Sequence, residues 1–64
     1  MTVQDIISIM SEDELIDIRS SRTGRFIAEE VHPSYIGTDT LHKEVKNLIS
    51  YSIYNNAIIL LIVD

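Results

Sequence analysis

An unbroken apolar run from Ala57 to Val63 limits the fold more than any other feature of the sequence. The run shows no alternation of apolar and polar residues, so a strand formed by it would be covered on both faces. We therefore expect a strand over 58–63 that is central in a sheet or packed against another subunit. The 64 residues allow one small domain, 1–64, which buries only about 60 % of its unfolded surface. Self-association is expected on that ground.

Charge and composition exclude several classes of protein. The chain has 10 Asp and Glu against 5 Lys and Arg, a net charge of -5, and 45 % hydrophobic residues. This is the composition of a folded acidic protein, and its charge disfavours a DNA or RNA binder that works by electrostatic attraction. There is no cysteine, and the N-terminus lacks a secretory signal, so a cytoplasmic location is expected. The apolar run is far shorter than the ~18 residues of a membrane span, so no membrane partner is expected.

Local patterns near the N-terminus predict a helix. Thr2 and Asp5 have the spacing of a capping box, in which each side chain bonds the backbone of the other. An apolar stripe with helical spacing follows, and the helix is expected to end near Ser11, before an acidic loop. The stripe consists of Val3, Ile6, Ile7 and Met10.

A hairpin is predicted next. Alternation indicates a strand in which Ile16 and Ile18 face the core, and Gly24 ends a polar turn. A second strand follows over 25–31, and the sequence leaves its buried face open. The two choices are Phe26 with Ala28, or Ile27 with Val31.

The second half of the chain predicts a short helix and another hairpin. The segment 38–40 supplies candidate N-caps, and the region 41–53 fits either a longer helix or mainly a strand. Alternation of β-branched and aromatic residues with serine favours a switch to strand near Val45. Asn55 and Asn56 mark a tight turn. The predicted fold is α+β, with an N-terminal helix packed on a four-stranded, mostly antiparallel sheet in the order helix, hairpin, short helix, hairpin.

Histidines and acids are the first candidates for chemistry. His32 and His42 lack the spacing of metal motifs and are interpreted as surface residues. An acidic cluster matches no calcium loop, although it could hold a cation or form an anionic face. A metal-dependent nuclease or hydrolase is therefore the least favoured function, and we predict no catalytic residue, no metal site and no cofactor. The acids of this cluster are Glu12, Asp13, Glu14 and Asp17, with Glu29 and Glu30 as further members of the anionic face.

The first hairpin turn carries the only concentration of basic residues. Guanidinium groups there could grip a phosphate or carboxylate, and an aromatic ring beside them could stack on a ligand. The alternative is a set of modest cross-strand ion pairs. Tyrosine suits interfaces because it combines a large apolar ring with a polar tip. The predicted partner-binding residues are Arg19, Arg22, Arg25, Phe26 and Tyr54, and the predicted oligomer interface is Ile58, Leu60 and Ile62.

Three segments of the first half resemble a known group of proteins. They are Thr2-Val3-Gln4-Asp5-Ile6-Ile7, Ile16-Asp17-Ile18-Arg19 and Thr23-Gly24-Arg25-Phe26-Ile27-Ala28. Together they are similar to small acidic accessory proteins encoded by phages and prophages, in which a short helix precedes a hairpin. The group includes inhibitors of bacterial defence systems, anti-CRISPR proteins among them, which bind a host protein and block it. The resemblance transfers no functional residue.

These observations lead to two function hypotheses. The first is a non-enzymatic protein-interaction module, a homo-oligomer with a dimer favoured, that inhibits a host defence or regulatory protein in the host cytoplasm. The alternative is a nucleic-acid-associated module that uses the arginine-bearing hairpin turn.

Overall fold

Two short α-helices and a four-stranded sheet make up the fold in the computed structural model, which describes residues 1–11 and 13–64. A single turn of 3-10 helix lies between the second strand and the second helix. The elements in chain order are α1 (Val3–Ile7), β1 (Leu15–Ser20), β2 (Phe26–Val31), the 3-10 turn η1 (Pro33–Tyr35), α2 (Thr38–Leu41), β3 (Val45–Ile53) and β4 (Asn56–Val63).

The sheet is mixed, with strand order β2-β1-β4-β3. The hairpins β1–β2 and β3–β4 are antiparallel, as expected, and the central strands β1 and β4 pair in parallel. The predicted α+β class, N-terminal helix and two hairpins are therefore present, but "mostly antiparallel" is too simple. Parallel neighbours need a crossover connection, and β2, η1, α2 and β3 together supply it.

The apolar terminal strand is central, between β1 and β3. Its parallel register with β1 runs without a shift from the pair Leu15↔Ile58 to the pair Ser20↔Val63. A strand with neighbours on both edges and side chains covered on both faces has no need of polar alternation. This explains the unbroken apolar run.

Helix α1 begins as the sequence predicts and ends earlier. The Oγ1 of Thr2 accepts from the amide of Asp5, and the Asp5 carboxylate accepts from the amide of Thr2, so the capping box is complete. The α-helix ends at Ile7 rather than near Ser11, and tighter bonds to the third residue back continue the chain to Met10. Met10 therefore still packs against the core.

The core lies between the helices and one face of the sheet. It is built from six buried side chains of α1, β1 and β4: Val3, Ile6, Ile16, Ile18, Leu61 and Val63. Side chains from η1, α2 and their flanks, Ile36 and Leu41 among them, pack against this cluster. All three helical segments thus cover the same face of the sheet.

The buried side chains of β2 match neither of the two predicted sets, Phe26 with Ala28 or Ile27 with Val31. Ala28 and Val31 pack against the core, while Phe26 and Ile27 are 45 % and 43 % exposed. Ala28 and Val31 are three residues apart, whereas side chains on one face of a regular strand are separated by an even number of residues. The register shifts between the pairs with Ile16 and Ile18, so an extra β2 residue is inserted there.

The switch to strand at Val45 is confirmed, because α2 stops at Leu41 and β3 spans Val45–Ile53. Helix α2 is capped by Gly37 with no side-chain bond, so the threonines and aspartate of 38–40 lie inside it. The β3–β4 turn lies one residue earlier than the two asparagines suggest. Its central residues are Tyr54 and Asn55, with φ of 50° and 67°, which is the left-handed geometry of a type I′ hairpin turn.

Two isoleucines of very different burial provide a test of this core. Ile16 is fully buried and Ile9 is 79 % exposed. Replacing Ile16 with alanine should lower the free energy of unfolding by about 3 kcal/mol, because a cavity is left in the core. The milder Ile16→Val should cost about 1 kcal/mol, and Ile9→Ala should change stability by less than about 0.5 kcal/mol. Urea unfolding followed by circular dichroism measures all three, and equal losses for the two alanine variants would contradict the proposed packing.

Candidate interaction surface

The second face of the sheet carries no helix in residues 1–11 and 13–64, since α1, η1 and α2 all pack on the first. We call it the open face. Alternation and register place on it Leu15, Asp17 and Arg19 of β1, Phe26 of β2, Ile49, Tyr51 and Ile53 of β3, and Ile58, Leu60 and Ile62 of β4. Phe26, Ile49 and Ile53 are 45 %, 42 % and 36 % exposed. Exposed apolar side chains gathered on one face are typical of interaction surfaces.

A polar bridge crosses the middle of the open face. The Tyr51 hydroxyl donates a hydrogen bond to Oδ2 of Asp17, although β4 lies between their two strands. The other oxygen of Asp17 accepts from the backbone amide of Glu30 at 2.5 Å. Asp17 is only 4 % exposed, and these two bonds satisfy a carboxylate that would otherwise be costly to bury.

The same bridge explains an unusual backbone conformation in β2. Glu30 has φ of 48°, in the left-handed region that costs a non-glycine residue about 1 kcal/mol. Its amide is thereby directed at Asp17, across the bulge in the β1–β2 register. A charge-assisted hydrogen bond of this kind contributes enough to offset that cost.

The bridge also changes the acidity of Tyr51. Its hydrogen bond to Asp17 raises the pKa of the phenol from 10.0 to about 12, with burial and the charges of Asp17, Glu30 and Glu29 acting in the same direction. Each of these influences disfavours a phenolate beside a carboxylate. The hydroxyl therefore stays protonated and remains a donor to Asp17 at neutral pH.

The predicted arginine site is only partly assembled. Arg19 is half-buried on the open face, directly opposite Phe26 in the β1–β2 ladder. Arg22 and Arg25 are exposed in the turn, which is held by the Ser20 hydroxyl accepting from the amide of Arg22 and by Gly24 with φ of 73°. Within the described residues none of the three arginines forms an ion pair. The cross-strand ion pairs considered from the sequence are thus not formed there.

Tyr54 lies at the opposite end of the sheet from the arginines. It is 93 % exposed in the β3–β4 turn, next to the start of β4, whereas Arg19 pairs with Ile62 near the end of β4. Six residues of strand span roughly 20 Å. The sequence-predicted partner residues therefore form a group of arginines with Phe26 and a separate, distant tyrosine.

The predicted oligomer interface is largely covered within one chain. Ile58 and Ile62 are buried, at 1 % and 9 % exposure, and Leu60 is half-buried between them on the open face. The large apolar side chains that are exposed on the open face, Phe26, Ile49 and Ile53, belong instead to the flanking strands β2 and β3. A partner that reached Leu60 would also contact Ile49, its neighbour across the ladder.

The histidines and the described acids of the cluster predicted as candidates for chemistry do not form a site on the open face. His32 lines a cleft of about 520 Å³ together with Asp13, Ile7 and Met10, and His42 follows α2 on the surface. Glu12, part of the predicted acidic cluster, lies outside the described residues. Among the residues that are described, no three His, Asp or Glu side chains are grouped closely enough to hold a metal ion.

No family model, curated protein or solved structure matches the chain. Across residues 1–11 and 13–64, every helix is too short to cross a membrane.

Sequence reasoning missed the pair Asp17 and Tyr51 as a unit. One signal was present, because Asp17 is an acid between Ile16 and Ile18 in a strand that becomes central in the sheet. A buried strand position tolerates a carboxylate only with a hydrogen-bonding partner. The identity of that partner depends on strand order, which local patterns do not reveal.

Titration of Tyr51 tests the bridge. Its pKa is raised on folding, so the bridge stabilises the fold fully below pH 10.0, and this contribution is lost as pH rises through about 12. Absorbance of the phenolate should show one transition near pH 12 that Tyr51→Phe removes and Tyr54→Phe retains. Asp17→Asn should move that transition toward lower pH. A transition near pH 12 that survives in Tyr51→Phe would show that the bridge is absent in solution.

Proposed function

We propose that the chain is a non-enzymatic protein-interaction module that binds a second protein through the open face. The observation that carries this proposal is the exposure of Phe26, Ile49 and Ile53 on a sheet face that the described helices leave uncovered. A helix or sheet of a partner laid on this face would bury these side chains together with Leu60. Burial of apolar area is the main favourable term in most protein association.

Charge further defines the partner. Arg19 places a basic side chain on the open face, directly opposite Phe26 in the ladder. A half-buried guanidinium beside an aromatic ring suits a carboxylate on the partner, next to an apolar patch. Glu29 and Glu30 flank the same edge and favour cations at its rim. The partner surface proposed is therefore apolar at its centre, with an acidic group that reaches Arg19.

The proposed role is inhibition of a host protein. Support comes from the small size of the chain, its net charge of -5, and the resemblance of its first half to phage-encoded accessory proteins. The target is proposed to be a bacterial defence or regulatory protein in the host cytoplasm.

Affinity capture with matched variants tests the open face. Tagged wild-type chain, Phe26→Ser and Tyr35→Ser are incubated with nuclease-treated extract of the bacterial host, and bound proteins are quantified by mass spectrometry. Tyr35 is the matched control, since it is an exposed aromatic residue on η1. At least one protein should bind wild type and Tyr35→Ser equally and Phe26→Ser about tenfold less, as expected for loss of one exposed aromatic contact.

Other outcomes would count against the proposal. Capture that is insensitive to Phe26→Ser would exclude the open face as the binding surface. A parallel capture from untreated extract tests the alternative, because binding that is present there and lost in nuclease-treated extract would favour the nucleic-acid-associated module. Circular dichroism of each variant confirms that the fold is retained.

A further inference from the structure

We propose that two copies of the chain pair along the outer edge of β3, in antiparallel orientation centred on Ser50, and so join their sheets into one of eight strands. This pairing uses the strand edge rather than the open face. It goes beyond the proposed function and extends it, because it sets two open faces side by side.

The outer edge of β3 has backbone groups free to pair. The pair Ile53↔Asn56 closes the two-residue turn, so hydrogen-bonded pairs with β4 recur at Tyr51 and Ile49. The residues between them direct their N–H and C=O groups outward. These residues are Leu48, Ser50 and Ser52, and all three are exposed. Among the described residues the amide of Leu48 donates to Oδ1 of Asn47, and the other outward groups form a row that is a template for another strand.

The chain already uses one end of this edge for strand pairing. Thr2 forms an antiparallel bridge with Glu44, and the amide of Val45 donates to the carbonyl of Met1 at 2.8 Å. The N-terminal residues thus cover the start of β3 and leave 47–53 open. The edge is therefore able to bind an antiparallel strand, and the length available to a second copy is defined.

The outer edge of β2 has several features that hinder pairing with another strand, whereas the outer edge of β3 has few. Strand β2 carries Glu29 and Glu30, two register shifts and a left-handed residue, all of which hinder pairing with another strand. Strand β3 is longer, and its one register shift lies at its start, between Val45 and Asn47. Among the described residues of this edge, the amide of Leu48 donates to Oδ1 of Asn47 at 2.8 Å, which occupies one outward backbone group. The two edges differ in the way expected if only β3 has a partner.

Charge favours a second copy of the chain on this edge. The net charge is -5, yet the segment 45–63 contains no Asp or Glu and has Lys46 as its only charged residue. Lys46 lies near Asp64, with 3.5 Å between Nζ and Oδ2. Two such edges meet without the like-charge repulsion that the rest of the surface would produce.

Side-chain pairing selects the register. With Ser50 opposite Ser50 of the second copy, Ile49 lies opposite Tyr51 of that copy, and the reverse pair forms by symmetry. Aromatic and β-branched residues directly opposite each other are favourable cross-strand pairs. On the other face, Leu48 then lies opposite Ser52 of the second copy, and no charged pair arises.

Pairing of two copies would double the area of the open face that a partner can contact. Four strands spaced about 4.8 Å apart and about seven residues long present roughly 450 Å². A standard protein interface buries about 800 Å² on each partner. One open face is therefore small for a stable complex, whereas two joined edge to edge reach that size.

A single introduced thiol tests the geometry, because the chain has no cysteine. Ser50→Cys places two thiols opposite each other, with Cα atoms about 5.5 Å apart, within the range of a disulfide. Mild oxidation of the folded Ser50→Cys variant should give a disulfide-linked dimer, and unfolding the variant in urea before oxidation should prevent its formation. Ser34→Cys, in η1 away from this edge, is the matched control and should remain monomeric on denaturing gels.

Sedimentation velocity tests the edge without a covalent bond. Wild type and Ser34→Lys should show a concentration-dependent dimer, and Ser50→Lys should raise its dissociation constant at least about tenfold, because two like charges would be opposed. Ser50→Pro should do the same without a charge, since its outward N–H is not needed in the β3–β4 ladder. Circular dichroism checks that each variant folds.

The outcomes separate this inference from the proposed function. A wild-type chain that is monomeric at all concentrations, or a dimer that neither Ser50 variant weakens, would overturn the pairing even if a Phe26-dependent partner is captured. A Ser50-dependent dimer that captures no protein through Phe26 would leave the pairing intact and overturn the proposed function alone.

Discussion

Parallel pairing between β1 and β4 is the interaction on which the rest of the structure depends. Four of the six core side chains, Ile16, Ile18, Leu61 and Val63, belong to these two strands, and each is fully buried. The two strands are the first and the last strand of the chain, so their pairing closes a loop that contains β2, η1, α2 and β3. Each hairpin then adds one edge strand, and α1 covers the core face. Without this central pair the chain would be two isolated hairpins, which are marginal in water.

Features that depend on neighbouring residues could be predicted from the sequence. The capping box of Thr2 and Asp5, the inward alternation of Ile16 and Ile18, and the left-handed turn at Gly24 each involve a few adjacent positions. The start of β3 at Val45 is in the same class, because alternation with serine is a local signal. Local propensity and tertiary structure agree at these points, which is the usual condition for a chain that folds to one structure.

Features that depend on strand order could not be predicted. The parallel centre of the sheet brings Asp17 within reach of Tyr51 across β4, and no spacing in the sequence encodes that distance. The bulge in β2 lies opposite the same carboxylate, where Glu30 adopts a left-handed conformation in which its amide bonds Asp17. This bulge is also why Ala28 and Val31 both face inward, a combination that strict alternation excludes. One buried carboxylate therefore accounts for several departures from the local patterns.

Acidic residues and the longest apolar segment occupy different parts of this chain. This separation matters for partner binding, because a net negative charge repels other acidic surfaces. Every Asp and Glu lies before Val45 or at the final residue, so the β3–β4 hairpin is nearly uncharged. Acidic residues repel other acidic surfaces, whereas the nearly uncharged hairpin supplies the outer edge of β3 and part of the open face. The Asp17–Tyr51 bridge limits this exposure by placing a polar pair in the middle of the apolar face. Both proposed contacts, the outer edge of β3 and the open face, therefore include strands from the part of the chain with the least charge.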